Sequence, residues 1–233
     1  MLFDNVNIKS FNAREIGKID IQPAKSNNKM TWCDNALIPL LEHGNNTYNR
    51  ITIPLLIQGE NKHIAYINCS NLIQKANKCI LNLEDRDLKF NAILDSYTTK
   101  FNNLGNKINL TLIFKGYCLG NEIIENMNTI SEKVIDNKGN EIAPCIIEIT
   151  PLYTDIIYIK IENLSYDAIT IKNLSKGNTV IIDSELGLIT ENNKNKFQDT
   201  DMWEFPRLRV GKNTVKLNRS DCNVTIKYKP RYV

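Results

Sequence analysis

The sequence predicts a mainly β protein in two parts: an N-terminal α+β domain, built as a sheet with one helix, and a C-terminal β-sandwich. Apolar residues recur at every second position through most of the chain, one segment switches to helical spacing, and a long polar stretch separates two β-rich halves. With 233 residues, 42% of them hydrophobic and 24% charged, the chain has the composition of a globular protein and enough Ile, Leu and Val for two cores.

In the first half, Ile51, Ile53, Leu55 and Ile57 alternate with Thr52, Pro54 and Leu56, the pattern of a strand with one apolar face. Pro54 has no N–H to donate, which places it at an edge or a bulge. Leu88, Phe90, Ala92 and Leu94 form a second stripe, and Ile108, Leu110, Leu112 and Phe114 a third. The intervening Asn102-Asn103-Leu104-Gly105-Asn106 is turn chemistry, so a long-looped hairpin is expected. Ala65, Cys69, Leu72, Ile73 and Ala76 recur at helical spacing and predict a helix from about His63 to about Asn77. The segment Leu119–Gly139 is polar and turn-rich, giving expected domains of 1–120 and 137–233 with 121–136 as the boundary. Beyond it, Ile157-Ile159-Ile161, Ile169-Ile171, Val180-Ile182, Val215-Leu217 and Val224-Ile226-Tyr228 read as short strands separated by turns, the rhythm of a sandwich.

Several function classes find no support. The net charge of +3 comes from 29 basic and 26 acidic residues, and the lysines are scattered singly, so sequence-specific nucleic-acid binding is not expected. The excess of Asn and Ile fits an AT-rich coding bias, and Asn-x-Ser/Thr matches such as Asn45-Asn46-Thr47 carry no weight. Cys33, Cys69, Cys79, Cys118, Cys145 and Cys222 include no C-x-x-C pair, and no leader is apparent, so free thiols in a reducing compartment are expected. No apolar run reaches the ~20 residues of a membrane span. His43 and His63 form no ligand pair, Glu84-Asp85-Arg86-Asp87 and Asp199-Thr200-Asp201 read as charged turns, and no nucleotide or nucleophile motif occurs. Catalytic, metal and cofactor sites are therefore not predicted. Trp32 and Trp203, with Tyr153, Tyr158 and Tyr166, could line a sugar-binding face, but Met202-Trp203-Glu204-Phe205-Pro206 reads better as a plug at one end of the sandwich.

Two blocks of the second half resemble the siphophage tail-component family, the distal tail proteins. They are Val180-Ile181-Ile182-Asp183-Ser184-Glu185-Leu186-Gly187 and Phe205-Pro206-Arg207-Leu208-Arg209-Val210-Gly211-Lys212-Asn213-Thr214-Val215, with Asp183, Gly187, Pro206, Leu208, Gly211 and Asn213 as the motif positions. In them Pro206 is expected to end a strand, Leu208 to fill the core, and Gly211 to permit a turn. The close, Val224–Tyr232, fits too, and the order of elements in the first half is similar to the family's ring-forming domain. The resemblance implies a virion structural protein at the tail tip, assembled in the host bacterial cytoplasm. Its N-terminal domains would close into a homohexameric ring around the DNA ejection channel, with galectin-like sandwiches outside. One ring face would dock to the tail tube protein and the other to the tail-associated hub protein. Some relatives bind host saccharides through long insertions; 233 residues leave no room for one, and the spaced His, Asn, Arg, Trp and Glu of a galectin pocket is missing.

The polar segment Gln22–Asn49 is long for a connection in a compact domain. We expect the Trp32–Ile57 region to reach the next protomer. Its apolar contacts would be Trp32, Leu37, Ile38, Leu40 and Leu41, with Ile51, Ile53 and Leu55 on the strand that follows. The alternative is that Trp32 and these leucines complete the N-terminal core. A stand-alone carbohydrate-binding sandwich and a hydrolase using the acidic clusters are the rival functions.

Overall fold

A computed structural model describes the backbone of residues 1–102 and 105–233; the side chains of residues 26–27 and 41–46 lie outside the described set. Asn103 and Leu104 of the expected hairpin turn therefore lie outside the described residues. The chain divides into two compact units, Met1–Leu119 and Gly120–Tyr232.

The N-terminal unit contains β1 (Leu2–Phe3), β2 (Val6–Asn7), β3 (Ala13–Glu15), β4 (Asp20–Gln22), β5 (Ser26–Thr31), β6 (Leu40–Asn46), β7 (Asn49–Gln58), helix α1 (Lys62–Ala76), β8 (Lys78–Leu83), β9 (Leu88–Phe101) and β10 (Lys107–Leu119). Its main sheet is antiparallel in the order β2-β1-β8-β9-β10-β7-β3, and β4 also pairs with β7. The register of β7 on β10 sets Ile51, Ile53, Leu55 and Ile57 opposite Phe114, Leu112, Leu110 and Ile108, and all eight are buried. Ala65, Cys69, Leu72 and Ala76 of α1 belong to the same core. The helix begins at Asn61, whose side chain accepts a hydrogen bond from the Ile64 N–H at 3.0 Å. In its last turn Lys75 pairs with Asp4 at 2.9 Å. Pro54 sits where the outer neighbour of β7 is interrupted: β3 pairs with residues 55–57 and β4 with residues 50–52, so its missing N–H breaks no ladder.

Gln22–Asn49 is not the featureless loop its polarity suggested. Much of it is a ribbon of β5 on β6, which pair in a two-stranded sheet of their own.

The C-terminal unit adds β11 (Ile123–Asn126), β12 (Glu132–Asn137), β13 (Ala143–Pro151), β14 (Ile156–Glu162), β15 (Ile169–Leu174), β16 (Val180–Asp183), β17 (Leu188–Glu191), β18 (Lys194–Asn195), β19 (Thr200–Asp201), β20 (Arg207–Leu208), β21 (Gly211–Leu217) and β22 (Cys222–Tyr228). One sheet runs β11-β22-β13-β16-β17-β18, with β20 on β13; the other runs β12-β21-β14-β15-β19. Alternate residues of both enter one core, including Cys145, Ile147 and Ile149 from the first sheet and Ile159, Ile161 and Val215 from the second. This is a β-sandwich.

Two expectations change here. The 121–136 segment expected as a boundary supplies β11 and β12, which pair with β22 and β21, and it buries Met127 and Ile135. Its strands are polar because each is last in its sheet and half in solvent. Ile157, expected inside with Ile159 and Ile161, is 81% exposed, while Ile156 is buried. Asn173, across from this end of β14, has a left-handed φ of 55°, and the facing of the strand inverts there.

A fragment Gly120–Tyr232 is therefore expected to fold alone as a β-rich monomer. A fragment starting at Asn137 loses Met127, Ile135 and two edge strands, and its stability should fall by about 4 kcal/mol or more. Urea unfolding followed by circular dichroism compares the two.

Candidate interaction surface

The β5–β6 ribbon is fastened at its base. The Ala24 N–H donates to Asn49 Oδ1 at 3.1 Å, the Lys25 N–H to Thr47 Oγ1 at 2.8 Å, and the Thr47 N–H to the Lys25 carbonyl at 2.9 Å. The far end turns through Asn35, with a φ of 67°, and the Ala36 N–H donates to the Cys33 carbonyl at 3.0 Å. Around this tip Met30, Trp32, Leu37, Ile38 and Leu40 are 58%, 65%, 95%, 76% and 60% exposed. A two-stranded ribbon is marginal in water by itself. One that also holds five large apolar side chains in solvent has the character of a docking surface.

The structure thus separates the candidate contact residues. Trp32, Leu37, Ile38 and Leu40 lie outside the N-terminal core, against the alternative that they complete it. The side chain of Leu41, like that of His43, is outside the described residues. Ile51, Ile53 and Leu55 are fully buried in their own unit and cannot touch a neighbour. They sit on the face of β7 that belongs to the same core as α1.

A second surface of the same unit was not read from the sequence. The outer half of β9 is exposed, and between it and α1 lies a groove of about 230 Å³ lined by Tyr66, Cys69, Ile73, Tyr97, Thr99 and Phe101, among others. A wider hollow of about 500 Å³ continues it and shares Ile73 and Tyr97. Tyr66, Tyr97 and Phe101 are 60%, 51% and 40% exposed. Lys62 lies over the Phe101 ring, 5.3 Å from its centre. The signal was present: Tyr66, Ser70 and Ile73 share one helical stripe, and Tyr97, Thr99 and Phe101 share one strand face.

The first acidic cluster is a turn, whereas Asp199-Thr200-Asp201, also expected as one, runs from a 3₁₀ turn into β19. Glu84 pairs with the N-terminal ammonium at 3.1 Å and Asp85 approaches Arg86 at 3.7 Å in a 3₁₀ turn between β8 and β9. His63 is exposed in the first turn of α1. Among the described residues no group of three or more His, Cys, Asp or Glu could hold a metal ion. Asp199 belongs to an ion cluster around Lys196, whose ammonium donates to Glu191 and the Asn173 carbonyl at 2.8 Å each and to Asp199 at 3.2 Å. Burial alone would lower the Lys196 pKa, but hydrogen bonds and charge from Glu191 and Asp199 outweigh it and hold it above the ordinary lysine value.

The motif positions of the C-terminal unit build turns. Asp183 accepts from the Glu185 and Leu186 N–H groups at 2.9 and 3.0 Å, and Gly187 and Gly211 have φ of 67° and 82°. The Pro206 carbonyl accepts from the Ser184 hydroxyl at 2.7 Å, and Pro206 precedes a strand rather than ending one. Leu208 is buried, and Asn213 bonds both the N–H and the carbonyl of Arg209. Trp203, expected as a plug, is 87% exposed; Phe205 packs against the core in its place.

Two predictions follow from these groups. The six cysteines are free, and Cys33 is exposed, whereas burial pushes the thiols of Cys79 and Cys145 up to about 12 and that of Cys222 up to about 11. The native monomer at neutral pH should lose one thiol rapidly to a maleimide, at Cys33, and all six after denaturation; mass spectrometry counts them. Replacing Lys196→Met should destabilise the C-terminal unit by about 2–3 kcal/mol by stranding Glu191. Because the folded pKa of Lys196 is raised, its contribution is complete below the ordinary lysine pKa and fades as pH rises through the higher folded value. The gap between wild type and variant in urea melts should therefore be constant from pH 7 to 9 and narrow only in stronger base.

With the geometry described, known proteins can be compared. Residues 138–232 match the family described as siphovirus-type tail component, C-terminal domain. The whole chain is similar in fold to the Dit protein of phage SPP1, presented as a paradigm of the hub adsorption apparatus in phages infecting Gram-positive bacteria. The TM-score is 0.67 at 9% identity, covering 100% of this chain and 98% of that one. Chains of the phage p2 baseplate in its activated conformation, with Ca and with Sr, match over 91% of this chain and 90% of theirs at a TM-score of 0.53 and 15% identity. No protein of curated function matches the sequence.

Proposed function

We propose that this chain, whose C-terminal unit carries the siphovirus-type tail component domain and whose full length follows the Dit fold, is a non-enzymatic distal tail protein of a phage or phage-like particle. The observation that carries the reading is the span of the likeness: it includes the N-terminal unit, with its helix and ribbon, as well as the sandwich. A stand-alone sugar-binding sandwich would need only the second unit.

In this role the N-terminal unit forms a homohexameric ring around the DNA ejection channel at the tail tip. The ring joins the tail tube protein on one face to the tail-associated hub protein on the other, and it assembles in the host cytoplasm. The exposed ribbon tip supplies the contact between neighbours. Ribbon and receiving surface are different patches, so the contact is head-to-tail, and such contacts close into rings when the rotation between subunits divides a full turn. The exposed apolar residues, and not the buried strand Ile51–Ile57, support this assignment.

Electron microscopy of purified protein, and of tails labelled through a tag on the sandwich, tests the reading. Closed six-fold rings and label at the tail tip are expected; label elsewhere on the particle, or a glycan array with specific saccharide binding and no assembly, would sink it. Trp32→Ala should weaken each ring contact by about 2 kcal/mol, roughly 30-fold in dissociation constant, because buried aromatic anchors dominate interface energies. Sedimentation should show smaller species while circular dichroism stays native.

A further inference from the structure

The ring reading leaves open what receives the ribbon. We propose that the ribbon tip of one protomer docks into the α1–β9 groove of a second copy, with Trp32 entering between Tyr66 and Tyr97 and Asp34 meeting Lys62. The inference rests on the ring reading and adds the receptor surface to it.

Three observations carry it. Both surfaces are apolar, aromatic and uncovered within the chain: Trp32 and Leu37 stand in solvent at 65% and 95%, and Tyr66 and Tyr97 at 60% and 51%. Two such patches on one molecule complement each other without being the same patch, the condition for a head-to-tail contact. Charge points the same way. The first turn of α1 contains no acidic residue, although a helix N-terminus is a site of partial positive charge. It carries Lys62 beside that charge, and Lys62 has no carboxylate partner among the described residues. Asp34, exposed next to Trp32 at the ribbon tip, brings the missing anion to that end of the groove as Trp32 enters. Size is the third. A groove of about 230 Å³ opening into a hollow of about 500 Å³ accepts one indole and leaves room for flanking aliphatic side chains. A stable interface removes about 800 Å² from each partner, and five large exposed side chains at the tip provide much of that area.

The native Cys33, exposed beside Trp32, provides the test. Tyr66→Cys places a second thiol in the groove at an exposed position, where the fold should tolerate it. Under mild oxidation this variant should give a ladder of disulfide-linked oligomers on non-reducing gels, ending at the closed ring. Wild type and the double variant Tyr66→Cys with Cys33→Ser should give none. Peptide mapping of the ladder is diagnostic, because the proposed contact links Cys33 to the thiol introduced at position 66, whereas symmetric contacts link like thiols to each other and would overturn the assignment. A second arm uses mixing. Trp32→Glu lacks the arm and Tyr66→Glu lacks the groove, so each should remain monomeric, while a 1:1 mixture forms one heterodimer by light scattering. Rings in the microscope without a Cys33 ladder, or a ladder that ends at dimers, would overturn the groove assignment and leave the ring standing. Absence of rings, ladder and heterodimer together would remove both.

Discussion

The N-terminal unit depends on one row of paired side chains. Ile51, Ile53, Leu55 and Ile57 of β7 face Phe114, Leu112, Leu110 and Ile108 of β10, and none of the eight is more than 1% exposed. Sheet side chains alternate with period two, so a slip of β7 by one residue would turn its four apolar side chains out of the core, at about 1.5–3 kcal/mol each. The register is consequently fixed, and much follows from it. The face of β7 and β10 that bears these residues belongs to the core that α1 joins. The residues of β7 cannot also serve a neighbouring molecule. Apolar surface offered outward must come from side chains off this buried row, and in the N-terminal unit the largest such groups are on the ribbon tip and along the groove between α1 and the outer half of β9.

That division explains which parts of the molecule were legible in the sequence. Stripes such as Ile108–Phe114, and the helical recurrence of Ala65, Cys69, Leu72 and Ala76, announce elements that bury one face, and all of these formed as read. Elements that bury no face leave no such mark. Ser26-Asn27-Asn28-Lys29-Met30-Thr31 has no alternation, and its described side chains, Asn28 to Thr31, are all exposed, so it read as a loop. Glu132–Asn137 read as a boundary for a related reason, since an edge strand with one wet side needs few apolar residues. At the candidate site the exposure of the tip residues was legible, since they are apolar residues stranded in a polar run. Ile51, Ile53 and Leu55 were misassigned because a buried stripe and an interface stripe look alike until the helix is placed.

The C-terminal motif has a different physical basis. Asp183, Gly187, Pro206, Gly211 and Asn213 act through carboxylate, amide and backbone groups that close turns, two of them at positive φ. Between these points the sandwich requires only alternation, which many combinations of Ile, Val and Leu satisfy. A chain can therefore share 9% identity with another over its full length and keep its fold, because the demanding positions are few. The same reasoning limits what the motif says: it reports how the sandwich turns its corners.

The ribbon's marginal stability bears on how it works. At its base Ala24 bonds the side chain of Asn49, the first residue of β7, and Lys25 and Thr47 close the ribbon with two further bonds, while its tip is held by its own pairing and a single tight turn. Docking such a segment must offset whatever freedom the tip retains, so side chains that lose little entropy per unit of buried area are favoured. Trp fits that requirement, with two side-chain torsions and one of the largest apolar areas of any residue. Carrying the exposed apolar surface on a two-stranded element therefore lets the unit present it without disturbing the strict register of the main sheet.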